Sequence, residues 1–146
     1  MARVVATRDF DSVVVLAGPI SGPQPTAFDP PVSVERDPAD PGAVMAGSVA
    51  AVSAAGSTVW ELLCIGVPTA LVVTADNQLG VAGMVVGAGA GVGAGTADDF
   101  VERLPAALAV LADPRERRRL AAAGQAMVDG FGADRILDEL TGLPGW

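Results

Sequence analysis

Short apolar runs alternate with amphipathic stretches along the chain. Val13 to Ala17 predicts a strand ending in the turn Gly18-Pro19, and residues 21–31 hold too much proline for regular structure. Val32 to Glu35 predicts a second short strand, and Pro41 to Ala46 a short helical segment. Val49 to Ala54 and Thr69 to Thr74 are apolar runs of the length expected for buried strands. Between them, Thr58 to Ile65 predicts a helix stopped by Gly66 and Pro68. Asp76 is placed to cap a helix running from Asn77 toward Val86, and the Gly/Ala tract from Gly87 to Gly95 has room for a short strand. Thr96-Ala97-Asp98-Asp99 predicts an N-cap with acidic support, opening a helix to Ala112 that Pro105 should kink or interrupt. Asp113-Pro114-Arg115-Glu116 combines a capping Asp, a first-position Pro and an early Glu, opening a helix to about Val128. Asp129 to Gly132 reads as a turn and Ala133 to Leu140 as a last helix.

Strands alternating with helices predict the α/β class: a single Rossmann-like domain over residues 1–146, with a parallel sheet flanked by helices and an atypical opening segment at 1–11. Such sheets bind ligands beyond the carboxyl ends of their strands. Ala, Val and Gly supply most of the apolar content and aromatics are scarce, so the core should consist of small, branched side chains.

Charge and residue counts narrow the chemistry. A net charge of −8 leaves no basic face to displace counterions from phosphates, so nucleic acid is not an expected partner. The basic run Arg115, Arg117, Arg118 and Arg119 reads as a solvated helix face. The absence of histidine removes Ser-His-Asp, Cys-His and His-metal chemistry from these residues. With a single cysteine as well, neither a metal nor another cofactor is expected. Cys64 has no internal disulfide partner, which fits a reducing, cytoplasmic compartment, and its apolar surroundings read as core. The opening residues show no apolar signal-peptide region, and no run reaches the roughly 18–20 strongly apolar residues of a membrane span.

The chemically informative stretch is Ala51 to Gln78, AVSAAGSTVWELLCIGVPTALVVTADNQ. A strand ends near Gly56 and a helix starts at once with Ser57 and Thr58. Unpaired amides and the dipole at such a start form an anion site, glycine permits close approach, and the two hydroxyls add donors. A diphosphate can be held this way with few cations. Glu61, one turn on, is the right group to accept ribose hydroxyls. Thr58-Val59-Trp60-Glu61 also reads as a capping box, the plainer reading on spacing alone. Asp76, Asn77 and Gln78 follow the next strand at the same sheet edge, where amide side chains can read sugar hydroxyls through paired donors and acceptors. Helix capping by Asp76 is an equal alternative. Trp60 reads as core or interface. Residues 89–94 fit G-x-G-x-x-A, but a Gly/Ala repeat makes such matches by chance, and no acidic strand end follows at the dinucleotide spacing.

AVSAAGSTVWELLCIGVPTALVVTADNQ resembles the signature of the C-terminal domain of GT-B-type nucleotide-sugar hydrolases and glycosyltransferases, among them the UDP-sugar hydrolase of the pseudaminic acid pathway and spore-coat polysaccharide biosynthesis proteins. AMVDGFGADRILDEL is similar to the closing segment of the same family, and the resemblance covers roughly Val13 to Leu140. It implies half of a GT-B architecture that binds a UDP-linked sugar. Gly56, Ser57 and Thr58 would hold the diphosphate and Glu61 the ribose, while Asn77 and Gln78 would face the sugar, next to Asp76. Gly18 and Pro19 would border the uridine pocket, and Asp129, Gly130, Gly132 and Arg135 would be structural. Family members carry an N-terminal domain that contributes a catalytic His in the hydrolases. No such domain and no Gly-rich opening loop are present in this sequence, where Arg8 and Asp9 stand instead. The resemblance therefore assigns no catalytic residue here. It implies a hydrolase or transferase completed by a partner chain or further domain, as a homodimer or with an N-terminal-type catalytic subunit. The alternative is a degenerate, non-catalytic dimerisation or partner-binding module.

Overall fold

The structure, a computed structural model, describes residues 10–18 and 32–142. The expectations for Pro19, for the proline-rich segment at 21–31, and for Arg8 and Asp9 lie outside the described residues. In chain order the elements are β1 (Val13–Ala17), β2 (Val32–Arg36), α1 (Pro41–Ala46), β3 (Ala51–Ala54), α2 (Thr58–Ile65) and β4 (Thr69–Val73), followed by a 3-10 turn (Asp76–Gln78), α3 (Leu79–Gly87), β5 (Val92–Thr96), α4 (Phe100–Ala112), α5 (Pro114–Met127) and α6 (Gly132–Thr141). Every strand pair among the described residues is parallel, and α2 and α3 make the crossovers from β3 to β4 and from β4 to β5. The protein is α/β and Rossmann-like. Its strands fall into two hydrogen-bonded groups, β1-β2 and β3-β4-β5, rather than one continuous sheet.

β4 is the axis of the larger sheet. Its side chains alternate between two cores, because successive residues of a strand face opposite sides. Leu71 joins Ala55, Val59, Leu63, Val85 and Ala90 beneath α2 and α3. Ala70 and Val72 join Ala94, Ala107, Leu111 and Leu120 beneath α4 and α5. A strand covered on both faces has no polar side, and β4 has none apart from Thr69, whose hydroxyl donates to the Val67 carbonyl at 2.8 Å. β3 departs from its expected burial. Among the described residues it is an edge strand with β4 as its one neighbour, and Val49 and Val52 stay exposed.

Helix ends follow local chemistry. The Asp40 carboxylate accepts from Ala43 N at 2.9 Å and Asp113 from Arg115 N at 2.7 Å. Gly66 takes a left-handed conformation (φ 88°) and its amide donates to Leu62 O and Leu63 O, closing α2 where a side chain would be strained. α4 runs through Pro105 without interruption. Arg117 does not lie on a solvated face. Its Nη1 donates to the carbonyls of Leu111 and Ala112 at 2.8 and 2.9 Å, capping α4 from the first turn of α5. Arg119 reaches Glu116 and the Gly89 carbonyl. The Gly/Ala tract holds a turn and then most of β5, the short strand it had room for, so the G-x-G-x-x-A match runs into a strand instead of opening a helix.

α2 and α5 touch through a glycine. A Cβ on Gly124 would stand 3.0 Å from Leu63 Cδ2 and 3.3 Å from the Leu63 backbone, so the helices could not stay this close with a larger residue. Gly124→Val should lower stability by about 1–3 kcal/mol, read as a reduced urea midpoint with the far-UV circular dichroism of the folded state retained.

Candidate functional site

Parallel pairing aligns Ala54 of β3 with Val72 of β4, and the Ala55 amide extends the ladder by donating to Val72 O at 3.0 Å. The chain then leaves β3 for α2 while β4 continues to Val73 and leads into Thr74, so both connections emerge at one edge of the sheet. That edge is the carboxyl end, where open parallel sheets hold ligands.

The amides of Gly56, Ser57 and Thr58 find no acceptor among the described residues, whereas those of Val59 and Trp60 turn back to the carbonyls of Gly56 and Ser57 at 3.3 and 3.1 Å. The capping box expected from Thr58 and Glu61 does not form. Ser57 is the N-cap, and its backbone is already helical (φ −64°, ψ −34°). An N-cap side chain covers the first amides from an extended backbone, a geometry that Ser57 lacks. The Ser57 and Thr58 hydroxyls and the Glu61 carboxylate are exposed, and none makes a hydrogen bond within the described residues. Three consecutive amides with two hydroxyls beside them form a donor cluster at the positive end of an α-helix.

The segment after β4 corrects a second expectation. Asp76 does not cap a helix. The chain first makes a 3-10 turn in which Gln78 N donates to Ala75 O at 3.0 Å, and α3 begins only at Leu79. The side chain that closes this turn is Gln78. Its Oε1 accepts from the Thr74 amide at 2.9 Å and from the Thr74 hydroxyl at 3.1 Å. The Gln78 Nε2 lies 3.9 Å from where a Cβ on Gly56 would stand. The fold thus brings Gln78 and Gly56 together from segments on different strands. Asp76 and Asn77 are exposed, with no hydrogen bond from their side chains, beside this pair in the same turn. Sequence reasoning passed over Thr74, because a Thr at a strand end carries no motif of its own.

Glu61 borders an open apolar groove of about 400 Å³, lined also by Gly42, Trp60, Cys64 and Ile65 between α1 and α2. Trp60 is half-buried, with one side against the core of Ala55, Val59 and Leu63 and the other on this groove. Cys64, expected as a core thiol, is half-buried at the groove wall, because α2 turns it away from β4. Gly18, at the end of β1, is exposed, and nothing places it against Gly56 or Glu61. Among the described residues, no Cys, Asp and Glu side chains converge as a metal site would require, and no helix is long and apolar enough to cross a membrane.

At the end of β5 the Asp99 carboxylate is engaged within its own loop. Asp99 accepts from the Thr96 amide and hydroxyl and pairs with Arg103. These contacts hold its carboxyl below the ordinary carboxylate range, the Thr96 amide contributing most. Asp129 is lowered in the same way, chiefly by Arg135 and then by the Phe131 amide, which ties the turn before α6. Asp129 and Arg135 thus have the structural setting expected of the closing segment. A carboxylate lowered in the folded state stabilises above its unfolded pKa, and that stabilisation disappears as pH falls through the folded value. The urea midpoint should therefore drop as the pH falls below about 4, the ordinary aspartate range, and Asp99→Asn should make that drop shallower.

No protein family and no curated protein matches the sequence. Among solved structures, the chain is similar to a crystal structure of the glycotransferase of kitacinnamycin, with a TM-score of 0.66 and 25% identity over 88% of this chain and 34% of that one. The chain thus spans about a third of the length of the solved protein it matches. It has a glycosyltransferase-like fold.

Proposed function

We propose that this domain binds a nucleotide-sugar, UDP-linked by the resemblance of Ala51 to Gln78, as the C-terminal-type half of a glycosyltransferase or nucleotide-sugar hydrolase. The observation that carries the reading is the donor cluster of the Gly56, Ser57 and Thr58 amides beside Gln78 Nε2, at the carboxyl edge of a glycosyltransferase-like sheet. The diphosphate sits on those amides and hydroxyls. Glu61 accepts the ribose hydroxyls, and the nucleoside lies along the groove between Trp60 and Gly42. Asp76 and Asn77 face the sugar.

The reaction on such a ligand breaks the C–O or P–O bond of the sugar-phosphate linkage. A general base near neutral pKa is needed to activate the attacking hydroxyl or water, and the sequence has no histidine to serve. The base comes from a second domain or partner chain, and the role of this half is to bind and orient. The free Cys64 and the absence of a disulfide suit a cytoplasmic setting.

Gly56 offers a clean test. An added Cβ there meets only the Gln78 amide nitrogen, at 3.9 Å, so the fold tolerates alanine while the methyl group stands in the mouth of the donor cluster. In calorimetry with UDP, Gly56→Ala should weaken binding about tenfold or more with an unchanged melting temperature. Glu61→Ala should weaken UDP and uridine alike, and Thr58→Val should weaken UDP more than uridine. Absence of wild-type binding at millimolar UDP would overturn the proposal.

A second reading, a dimerisation or partner-binding module, is favoured by α6. Ile136, Leu137 and Leu140 lie on one stripe of that helix and all are exposed, as is Phe131 just before it. Under this reading, sedimentation of the chain alone should show a dimer that Leu137→Asp dissociates, with no response to UDP.

A further inference from the structure

The pair formed by Thr74 and Gln78 says more about the site than its position does. A backbone N–H can only donate, so the Gln78 atom facing the Thr74 amide at 2.9 Å must be the carbonyl oxygen. That settles which way the carboxamide is turned, a choice otherwise open for any glutamine. The Thr74 hydroxyl is 3.1 Å from the same oxygen and has a proton to give it. A carbonyl oxygen has two lone pairs, and both are taken. What remains of Gln78 is its NH₂ group, on the side of Gly56.

We propose that Thr74 is a positioning residue that makes Gln78 a donor-only ligand, presenting Nε2 to an oxygen of the phosphate held by Gly56, Ser57 and Thr58. The assignment rests on the nucleotide-sugar reading of the site. It changes one part of that reading. Gln78 cannot read a sugar hydroxyl through a donor and an acceptor together, because its acceptor is occupied. It recognises acceptors, and the unpaired amides of Gly56, Ser57 and Thr58, on the side its NH₂ group faces, call for the same kind of ligand atom. The tether also removes rotamer freedom from a long side chain before the ligand arrives, so less is lost on binding. The chemical consequence is a further neutral donor to the diphosphate, alongside the three amides and two hydroxyls, in a site without an arginine or lysine among its residues.

The test uses the full chain, with UDP and uridine as probes in calorimetry and NMR titration. Thr74→Val keeps the backbone donor and removes the hydroxyl, and Thr74→Ser restores it. Thr74→Val should bind UDP about three- to tenfold more weakly, with uridine unaffected and Thr74→Ser near wild type. Gln78→Glu keeps an oxygen for Thr74 to donate to and turns the other end into an anion facing the phosphate. Its UDP binding, relative to wild type at each pH, should be poor near neutrality and recover as the pH falls and the carboxyl protonates. A merely structural role for Gln78 would give a deficit that is the same for uridine and flat with pH, and that result would overturn the assignment. Wild-type binding of UDP with Thr74→Val indistinguishable from it overturns the positioning role alone. Failure of the wild type to bind UDP overturns the nucleotide-sugar reading and removes the ligand assigned to Gln78.

Discussion

The parallel pairing of β3 with β4 fixes everything at the site. Ala51 through Ala54 lie against Thr69 through Val72, and the Ala55 amide adds one more bond to Val72. Because the strands run the same way, their carboxyl ends open at the same edge, and two loops distant in sequence become neighbours. A slip of one residue would turn Leu71 out of one core and Ala70 and Val72 out of the other. Burial on both faces of β4 therefore sets the register, and the register sets the approach of Gln78 to Gly56. The donor cluster is a consequence of core packing on the strand beneath it, not of contacts between the loops themselves.

Much of this was legible in the sequence. The α/β alternation, the bounds of β1, α1 and α2, the Gly66 stop and the Asp113 cap follow from periodicity and local stop and start chemistry, which act over a few residues. What the sequence misread depends on contacts it does not encode locally. Arg117 looks solvated on a helix wheel but caps α4 because the tight α4–α5 corner brings two carbonyls within its reach. Asp76 looks like a cap, yet the chain turns earlier because Gln78 folds back on Thr74. At Thr58 and Glu61 the spacing favoured a capping box, and the helical backbone of Ser57 leaves those groups free instead. Of the candidate residues, Gly56, Ser57, Thr58 and Gln78 come together, Asp76 and Asn77 stand in the same turn as Gln78, and Glu61 borders the adjoining groove. Gly18 is not brought to them.

For an acidic chain, the proposed binding of a diphosphate would pose an electrostatic problem, since the net charge of −8 repels such a ligand at long range. Arginine is the usual local answer, but here the arginines with resolved partners are engaged elsewhere: Arg117 with the end of α4, Arg119 with Glu116 and Gly89, Arg103 with Asp99, and Arg135 with Asp129. What the carboxyl edge offers is a set of fixed dipoles. Backbone amides at a helix start are held in place by the fold and need not be ordered when the anion arrives, and their favourable field is short-ranged. Such a site is weak as an attractor and good as a discriminator. It contributes once the phosphate oxygens are within hydrogen-bond distance, and little before. A nucleotide would reach it through the apolar groove and Glu61, with the nucleoside supplying the binding that brings the phosphates close. On that argument, recognition under the proposed function would be divided along α2: burial and ribose contacts on the groove side, and oriented neutral donors at its N-terminal end.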